Sequence, residues 1–316
     1  MPLARNGWRR PGCRRTTAEE FEEHGSDSAR PDDVNEASPL LARILTLNES
    51  GERSYQGCAS GQVEFGLYGG HLLGQAVAAT QQTVEAERML HSIHGYFLRG
   101  GDGQQPIEYE VELVRDGRSF CTRRAVARQG DRVLFELMAS FHNPETGSGE
   151  MAEPMPTGVP GPHECPSFEE CIAEVGPIFG DEWSTTPKGF ETRFVHAPWA
   201  PTGPSADNGI DYWFKVTDAL PDVPGIDEAV LAYVSDDSIS DNTMVPFGKN
   251  WGGEGTTLAS LDHSMWFHRP AKVTDWLYVR QRPINVGGNR GLSEMRVWNL
   301  KGELVTSASQ EGLLRF

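Results

Sequence analysis

The sequence contains two copies of one pattern, and this internal repeat restricts the possible folds more than any other feature. Residues 94–99 (HGYFLR) match residues 264–269 (SMWFHR) at a shift of 170. The helical segments upstream match at a shift of 158, which places Leu73 on Leu231 and Ala78 on Asp236. Joining two such units edge to edge would remove two exposed sheet edges. The repeat therefore predicts a fused dimer with a continuous sheet.

Each copy has the pattern of one helix followed by antiparallel strands. In the first copy, apolar residues recur at helical spacing from Leu73 to Val84. Residues 107–113 alternate apolar and acidic, which is typical of a strand with one buried face. Further strands are predicted at residues 120–127, 133–141, 264–268, 276–280, 293–300 and 304–314, and the second helix lies around residues 227–240. The fold class is therefore α+β.

Composition shifts divide the chain into four parts. Residues 1–37 form a polar extension, expected to be disordered, although its arginine-rich start leaves an organelle transit peptide open. Residues 38–142 are the first unit, and residues 143–185 form a linker rich in proline and glycine with a short helix. Residues 186–316 are the second unit.

Charge and cysteine content exclude several classes of protein. The net charge of −17 disfavours binding to nucleic acid or to an anionic membrane surface. No apolar run approaches the roughly 20 residues that a membrane-spanning helix needs. The five cysteines are scattered and odd in number, which is typical of a reducing compartment, so we expect a cytoplasmic protein.

Six strings in chain order carry a family resemblance. They are residues 69–75 (GGHLLGQ), 90–102 (LHSIHGYFLRGGD), 115–120 (RDGRSF), 231–236 (LAYVSD), 261–270 (LDHSMWFHRP) and 310–315 (QEGLLR). Over residues 40–315 the chain resembles the acyl-CoA thioesterase II family. The resemblance implies a double hotdog fold, in which each long helix is wrapped by a curved antiparallel sheet. It also implies hydrolysis of fatty acyl-CoA without a cofactor, and a homo-oligomer, either a dimer or a tetramer.

The family's catalytic group carries over onto three residues of the second unit. The carboxylate falls on Asp236, with neighbouring Asp237 as the alternative. The hydroxyl falls on Ser260, where the family usually has threonine, and the amide falls on Gln310.

These residue types suit thioester hydrolysis. A carboxylate can act as general base, and a hydroxyl and an amide can orient a water molecule. Backbone N–H groups at a helix end can stabilise the oxyanion. The counterparts in the first unit are Ala78, Leu90 and Ser140, so the carboxylate and the amide are missing there. We therefore expect one catalytic set per chain and a first unit that contributes wall and acyl tunnel.

Other candidates concern substrate binding. Gly69 and Gly70 open the first helix, and Arg290 lies in a glycine-rich loop that either meets coenzyme A phosphate or is only a surface loop. Trp266, in an apolar segment interpreted as core, is a candidate for lining the acyl tunnel. The pairs His91 and His94, and His263 and His268, are interpreted as strand or core residues, so no metal is expected. Two alternative functions stay open: an acyl-CoA-binding or regulatory protein with little turnover, and a hotdog acyl-CoA hydratase.

Overall fold

An antiparallel sheet of thirteen strands runs through the part of the chain that the structure describes. The structure is a computed structural model that describes residues 38–59, 66–145, 147, 149–176, 188–249 and 255–316. The expected N-terminal extension, residues 1–37, lies outside the described residues.

Four α-helices and thirteen strands make up the regular structure of these residues. The helices are α1 Leu40–Leu45, α2 Gly69–Gln81, α3 Phe168–Val175 and α4 Ile226–Ser235. The strands are β1 Asn48–Gly51, β2 Ser54–Gly57, β3 Met89–Phe97, β4 Ile107–Asp116, β5 Phe120–Gln129, β6 Arg132–His142, β7 Phe190–His196, β8 Ile210–Val216, β9 Thr257–Ser260, β10 Asp262–Phe267, β11 Leu277–Gly287, β12 Arg290–Asn299 and β13 Leu304–Arg315.

The two units have the same strand order and meet at a pseudo-two-fold axis. The first unit runs β1-β2-β4-β5-β6-β3 and the second β7-β8-β11-β12-β13-β10. Strands β3 and β10 pair antiparallel, with His94 opposite Ser264. The shift of 170 residues makes these two positions equivalent, so the axis passes between them. The predicted edge-to-edge fusion and double hotdog fold are confirmed.

Small residues let the two central helices approach closely. Helix α2 is buried along almost its whole length, as expected of a helix wrapped by a sheet. A Cβ atom added to Gly70 would lie 2.1 Å from the carbonyl oxygen of Tyr233. One added to Gly74 would lie 3.1 Å from the carbonyl oxygen of Ala229. These glycines place the N-terminal end of α2 beside the C-terminal end of α4.

Two linker segments lie against the outer face of the second unit's part of the sheet. The indole Nε1 of Trp298 donates to the carbonyl of Glu153 at 3.1 Å, and that of Trp213 donates to the carbonyl of Pro160 at 2.9 Å. Both tryptophans belong to a small apolar cluster separate from the main core. The same linker contains α3, which begins with a capping box at Ser167.

Among the residues that the structure describes, no helix is long and apolar enough to cross a bilayer.

Candidate active site

The three residues predicted to be catalytic lie within hydrogen-bond distance of one another. The Nε2 atom of Gln310 donates to Oδ1 of Asp236 at 2.8 Å and to Oγ of Ser260 at 2.8 Å. The hydroxyl of Ser260 donates to the same Oδ1 at 3.3 Å. Gln310 Nε2 also lies 2.9 Å from Oγ of Ser240.

Strand pairing places Ser260 and Gln310 side by side, although they are far apart in the sequence. Strand β13 pairs with β10 and then with β9, where Ser260 lies opposite Gly312. Gln310 belongs to the inward-facing set of β13 and is fully buried. Asp236 is the C-cap of α4, so its carboxylate lies at the helix end, beside strands β9 and β13.

The surroundings raise the pKa of the Asp236 carboxyl to about 6. Burial is the largest cause, and the negative charge of Asp237 acts in the same direction. Hydrogen bonds from Gln310, from the backbone of Gly70 and from Ser260 work against this rise. Ser260 and Gln310 both hydrogen-bond to Asp236, the first of the two carboxylates that the sequence analysis names.

The first unit contributes the start of helix α2 to this site. A Cβ atom added to Gly69 would lie 2.6 Å from Oδ2 of Asp236, so the backbone of Gly69 borders this oxygen. The backbone of Gly70 hydrogen-bonds to the same carboxylate. The positive end of the helix dipole therefore faces the carboxylate and the space beside it.

A cavity of about 240 Å³ opens at these residues. Asp236, Asp237 and Ser260 line its polar side. Its apolar side includes Phe168, Phe194, Trp199, Ile210 and Tyr212. An apolar cavity with a few convergent polar groups suits a ligand that has a hydrocarbon chain and a reactive head.

Asp241 is a second acidic residue with a shifted pKa in the lining of this cavity. Burial, followed by the charges of Asp237 and Asp236, raises its pKa to about 8. At neutral pH it therefore carries a proton, which limits the negative charge around the site.

His263 is a neighbour of the site that the sequence analysis treated as a strand or core residue. It is fully buried, and its Nδ1 forms a short hydrogen bond with Oε1 of Gln310. Its Nε2 lies 2.9 Å from Oγ of Ser235. Burial lowers its pKa to about 4, so the ring is neutral. Strand alternation, which puts His263 and Met265 on the inward face of β10, could have revealed this position.

Of the four residues predicted to bind substrate, Gly69 lines the cavity, whereas Gly70, Trp266 and Arg290 do not. Trp266 points outward and is 38% exposed, so the expectation that it belongs to the core is wrong. The cause is the alternation of β10, which buries Met265 and turns Trp266 away. Arg290 is the exposed first residue of β12, and its Nε lies 3.0 Å from Oε1 of Glu311. Their roles in substrate binding stay predictions.

Comparison with known proteins identifies the family. A domain described as "Acyl-CoA thioesterase N-terminal domain" matches residues 60–142, and "Acyl-CoA thioesterase C-terminal domain" matches residues 162–314. Acyl-CoA thioesterase 2 of Haemophilus influenzae is 31% identical over 281 residues, which is 87% of this chain and 97% of the relative. Human acyl-coenzyme A thioesterase 8 is 29% identical, with 88% of this chain and 89% of the relative covered.

Solved structures agree with this assignment. The acyl-CoA thioesterase II TesB2 from Mycobacterium marinum aligns with a TM-score of 0.71 and 33% identity, covering 87% of this chain and 98% of that one. A hot dog protein from Alicyclobacillus acidocaldarius, described as of unknown function, is 17% identical with a TM-score of 0.69, and covers 89% of this chain and 99% of its own. The latter supports the fold alone. The chain belongs to the acyl-CoA thioesterase family.

Proposed function

We propose that this chain hydrolyses fatty acyl-CoA by direct attack of water, with Asp236 as general base. The observation that carries the proposal is the position of the Gln310 amide nitrogen, 2.8 Å from both Asp236 Oδ1 and Ser260 Oγ. Both oxygen atoms belong to residues that line the cavity. Membership of the family makes the chain a thioester hydrolase, and the geometry supports the assignment of roles within it.

Asp236 has the properties that a general base needs. Its pKa of about 6 leaves it ionised at neutral pH, yet it is more basic than an ordinary aspartate. Oδ1 receives hydrogen bonds from Gln310 and Ser260, whereas Oδ2 lies beside Gly69 at the cavity. We assign Oδ2 as the atom that takes the proton of the attacking water.

Gln310 acts through its neighbours. The sequence predicts that its amide orients the water directly, but the side chain is fully buried and bonds to Asp236 and Ser260. In this arrangement it fixes the carboxylate and the hydroxyl, and Ser260 contacts the water.

The proposed reaction proceeds without a cofactor. The oxygen of the water bonds to the carbonyl carbon of the thioester while one of its protons passes to Asp236. The backbone N–H of Gly69, which lines the cavity at the start of α2, stabilises the oxyanion. Collapse of the tetrahedral intermediate breaks the C–S bond, and the departing thiolate takes the proton from Asp236. The products are the fatty acid and coenzyme A.

Coenzyme A is an anion, and the net charge of −17 opposes its binding. Local positive charge is therefore needed at the site. Lys188 lines the cavity, and its Nζ lies 4.6 Å from the ring centroid of Phe168. We propose that Lys188 attracts the anionic end of the substrate.

Thiol release from a panel of acyl-CoA substrates tests the function, with Asp236→Asn as the inactive variant and Asp237→Asn as its matched control. Release of free thiol that depends on Asp236 is the expected result. A change in enoyl absorbance without thiol would indicate a hydratase, and tight binding without turnover would indicate a binding protein; either would contradict the proposal.

A cytoplasmic location and a dimer or tetramer of double hotdog units are further parts of the proposal. Tyr96 and Trp266, 62% and 38% exposed, lie on the two strands that join the units. We propose that these two exposed aromatic residues belong to the contact surface of that assembly. Light scattering after gel filtration would give the mass of the assembly.

A further inference from the structure

A second cavity, of about 310 Å³, lies at the opposite end of the central helix pair. It is lined by Ala78 near the end of α2 and by Gly225 and Ile226 at the start of α4. At the candidate active site the arrangement is reversed, because the start of α2 lies beside the end of α4, at Gly69 and Asp236. The shift of 158 residues places Ala78 on Asp236. The second cavity is therefore the pseudo-symmetric counterpart of the candidate active site.

The chemistry of the second cavity differs from that of the first. Ala78 stands where the base would be, and the counterparts of Ser260 and Gln310 are Leu90 and Ser140. The remaining lining includes Leu45, Leu47, Val84, Val223 and Pro224. The walls suit a hydrocarbon chain, whereas the means of activating water are missing.

One polar group in this cavity has no partner. Gln81 lines the cavity and is only 8% exposed, and its Oε1 is buried without a hydrogen bond in the described part of the chain. A Cβ atom at Gly225, where φ is +79°, would lie 2.7 Å from Oε1 of Gln81. This oxygen has almost no accessible surface, so the side chain must turn to present it to the cavity. Because a buried acceptor without a donor is unfavourable, a ligand that supplies an N–H group would favour that turn.

We propose that this cavity is a second acyl site that binds without hydrolysis. Its ligand is an S-acyl pantetheine compound, whose hydrocarbon chain lies along the apolar walls while a pantetheine amide N–H donates to Gln81 Oε1. An ionised fatty acid has no donor for this oxygen and binds more weakly. The choice of an acyl thioester as the ligand rests on the proposed function. The cavity and the unpaired acceptor are structural features that do not depend on that function.

Calorimetric titration of the full chain with dodecyl-CoA thioether, which has no carbonyl to hydrolyse, tests the proposal. Two molecules per chain are expected. Ala78→Phe fills the second cavity and should leave one bound molecule per chain. Thiol release from dodecanoyl-CoA should be unchanged in this variant. Gln81→Leu adds little volume and should weaken only the second binding event, roughly fivefold to tenfold.

One molecule per chain in the unsubstituted protein would overturn the proposal, as would two in a folded Ala78→Phe variant. If that variant fails to fold, Gln81→Leu decides, and an unchanged second event overturns the role of Gln81. Laurate binding at the second site as tightly as the thioether would contradict the need for a donor. Two bound thioethers without thiol release from dodecanoyl-CoA would refute the proposed function but not this site.

Discussion

His263 and Asp236 contact opposite ends of one amide group, that of Gln310. The oxygen of this amide bonds to Nδ1 of His263, and its nitrogen lies 2.8 Å from Oδ1 of Asp236. Because Oε1 can only accept and the ring is neutral, the imidazole carries its proton on Nδ1. A reversed amide would set two acceptors against each other at Asp236 and two donors against each other at His263. His263 therefore fixes the orientation that Asp236 requires.

Replacing His263 by phenylalanine removes the donor that orients Gln310. We expect kcat to fall roughly tenfold or more, since a misoriented amide would disturb both Asp236 and Ser260. His263→Asn keeps an N–H donor and should recover part of this loss. Steady-state kinetics across pH should also show a higher apparent pKa in the phenylalanine variant, because the Gln310 hydrogen bond lowers the pKa of Asp236. Equal activity and equal pH profiles in the two variants would contradict this role.

Replacing Asp236 by asparagine removes the proposed base while keeping its shape. We expect kcat/KM to fall by about two orders of magnitude, the contribution typical of a general base. Asp237→Asn keeps the contacts of Gln310 and Ser260 with Asp236 and should cost far less. A large loss in Asp237→Asn with little loss in Asp236→Asn would move the base by one residue.

The pH dependence of kcat/KM should follow the ionisation of Asp236. The carboxylate is the active form, so activity should rise with pH through an apparent pKa of about 6. Asp237→Asn should lower this apparent pKa, since the charge of Asp237 raises it. Asp241, with a pKa of about 8, titrates later, and Asp241→Asn should leave the lower limb of the profile in place. Activity that is flat from pH 4 to 7 would exclude Asp236 as the base.

The raised pKa of Asp236 also predicts an effect on stability. A carboxyl with a higher pKa in the folded state binds its proton more tightly there, so stability declines as pH rises from about 4 to about 6. Asp236→Asn removes the buried charge and should raise the free energy of unfolding at pH 7, on the order of 2 kcal/mol. The difference should shrink at pH 4. Urea unfolding at both pH values measures it, and a less stable variant at pH 7 would contradict the argument.

The close approach of the central helices at Gly70 is the last testable point. A methyl group there would overlap the carbonyl of Tyr233, so Gly70→Ala should destabilise the protein by about 3 kcal/mol. Gly100→Ala is the matched control, because a Cβ atom at Gly100 has no neighbour within 4 Å. Thermal unfolding of the two variants gives the comparison, and equal melting temperatures would show that the helices can separate without cost.

Clear period-two alternation marks several of the strands that the sequence predicts. Strands β4, β6 and β13 show it, because each has one buried and one wetter face. Strand β8 was missed because it is buried on both faces, where the linker covers its outer side at Trp213. Local periodicity reports burial on one face, so a strand covered twice loses the signal.

The sequence by itself determined the repeat and the family, and it singled out Asp236, Ser260 and Gln310 as candidates, since each depends on local strings or on spacing along the chain. Only the tertiary structure decided that β9 lies against β13, that His263 fixes Gln310, and that a second cavity survives at Ala78. These are contacts between segments distant in sequence, and no local pattern of residues specifies which distant partner a strand or a helix end will meet.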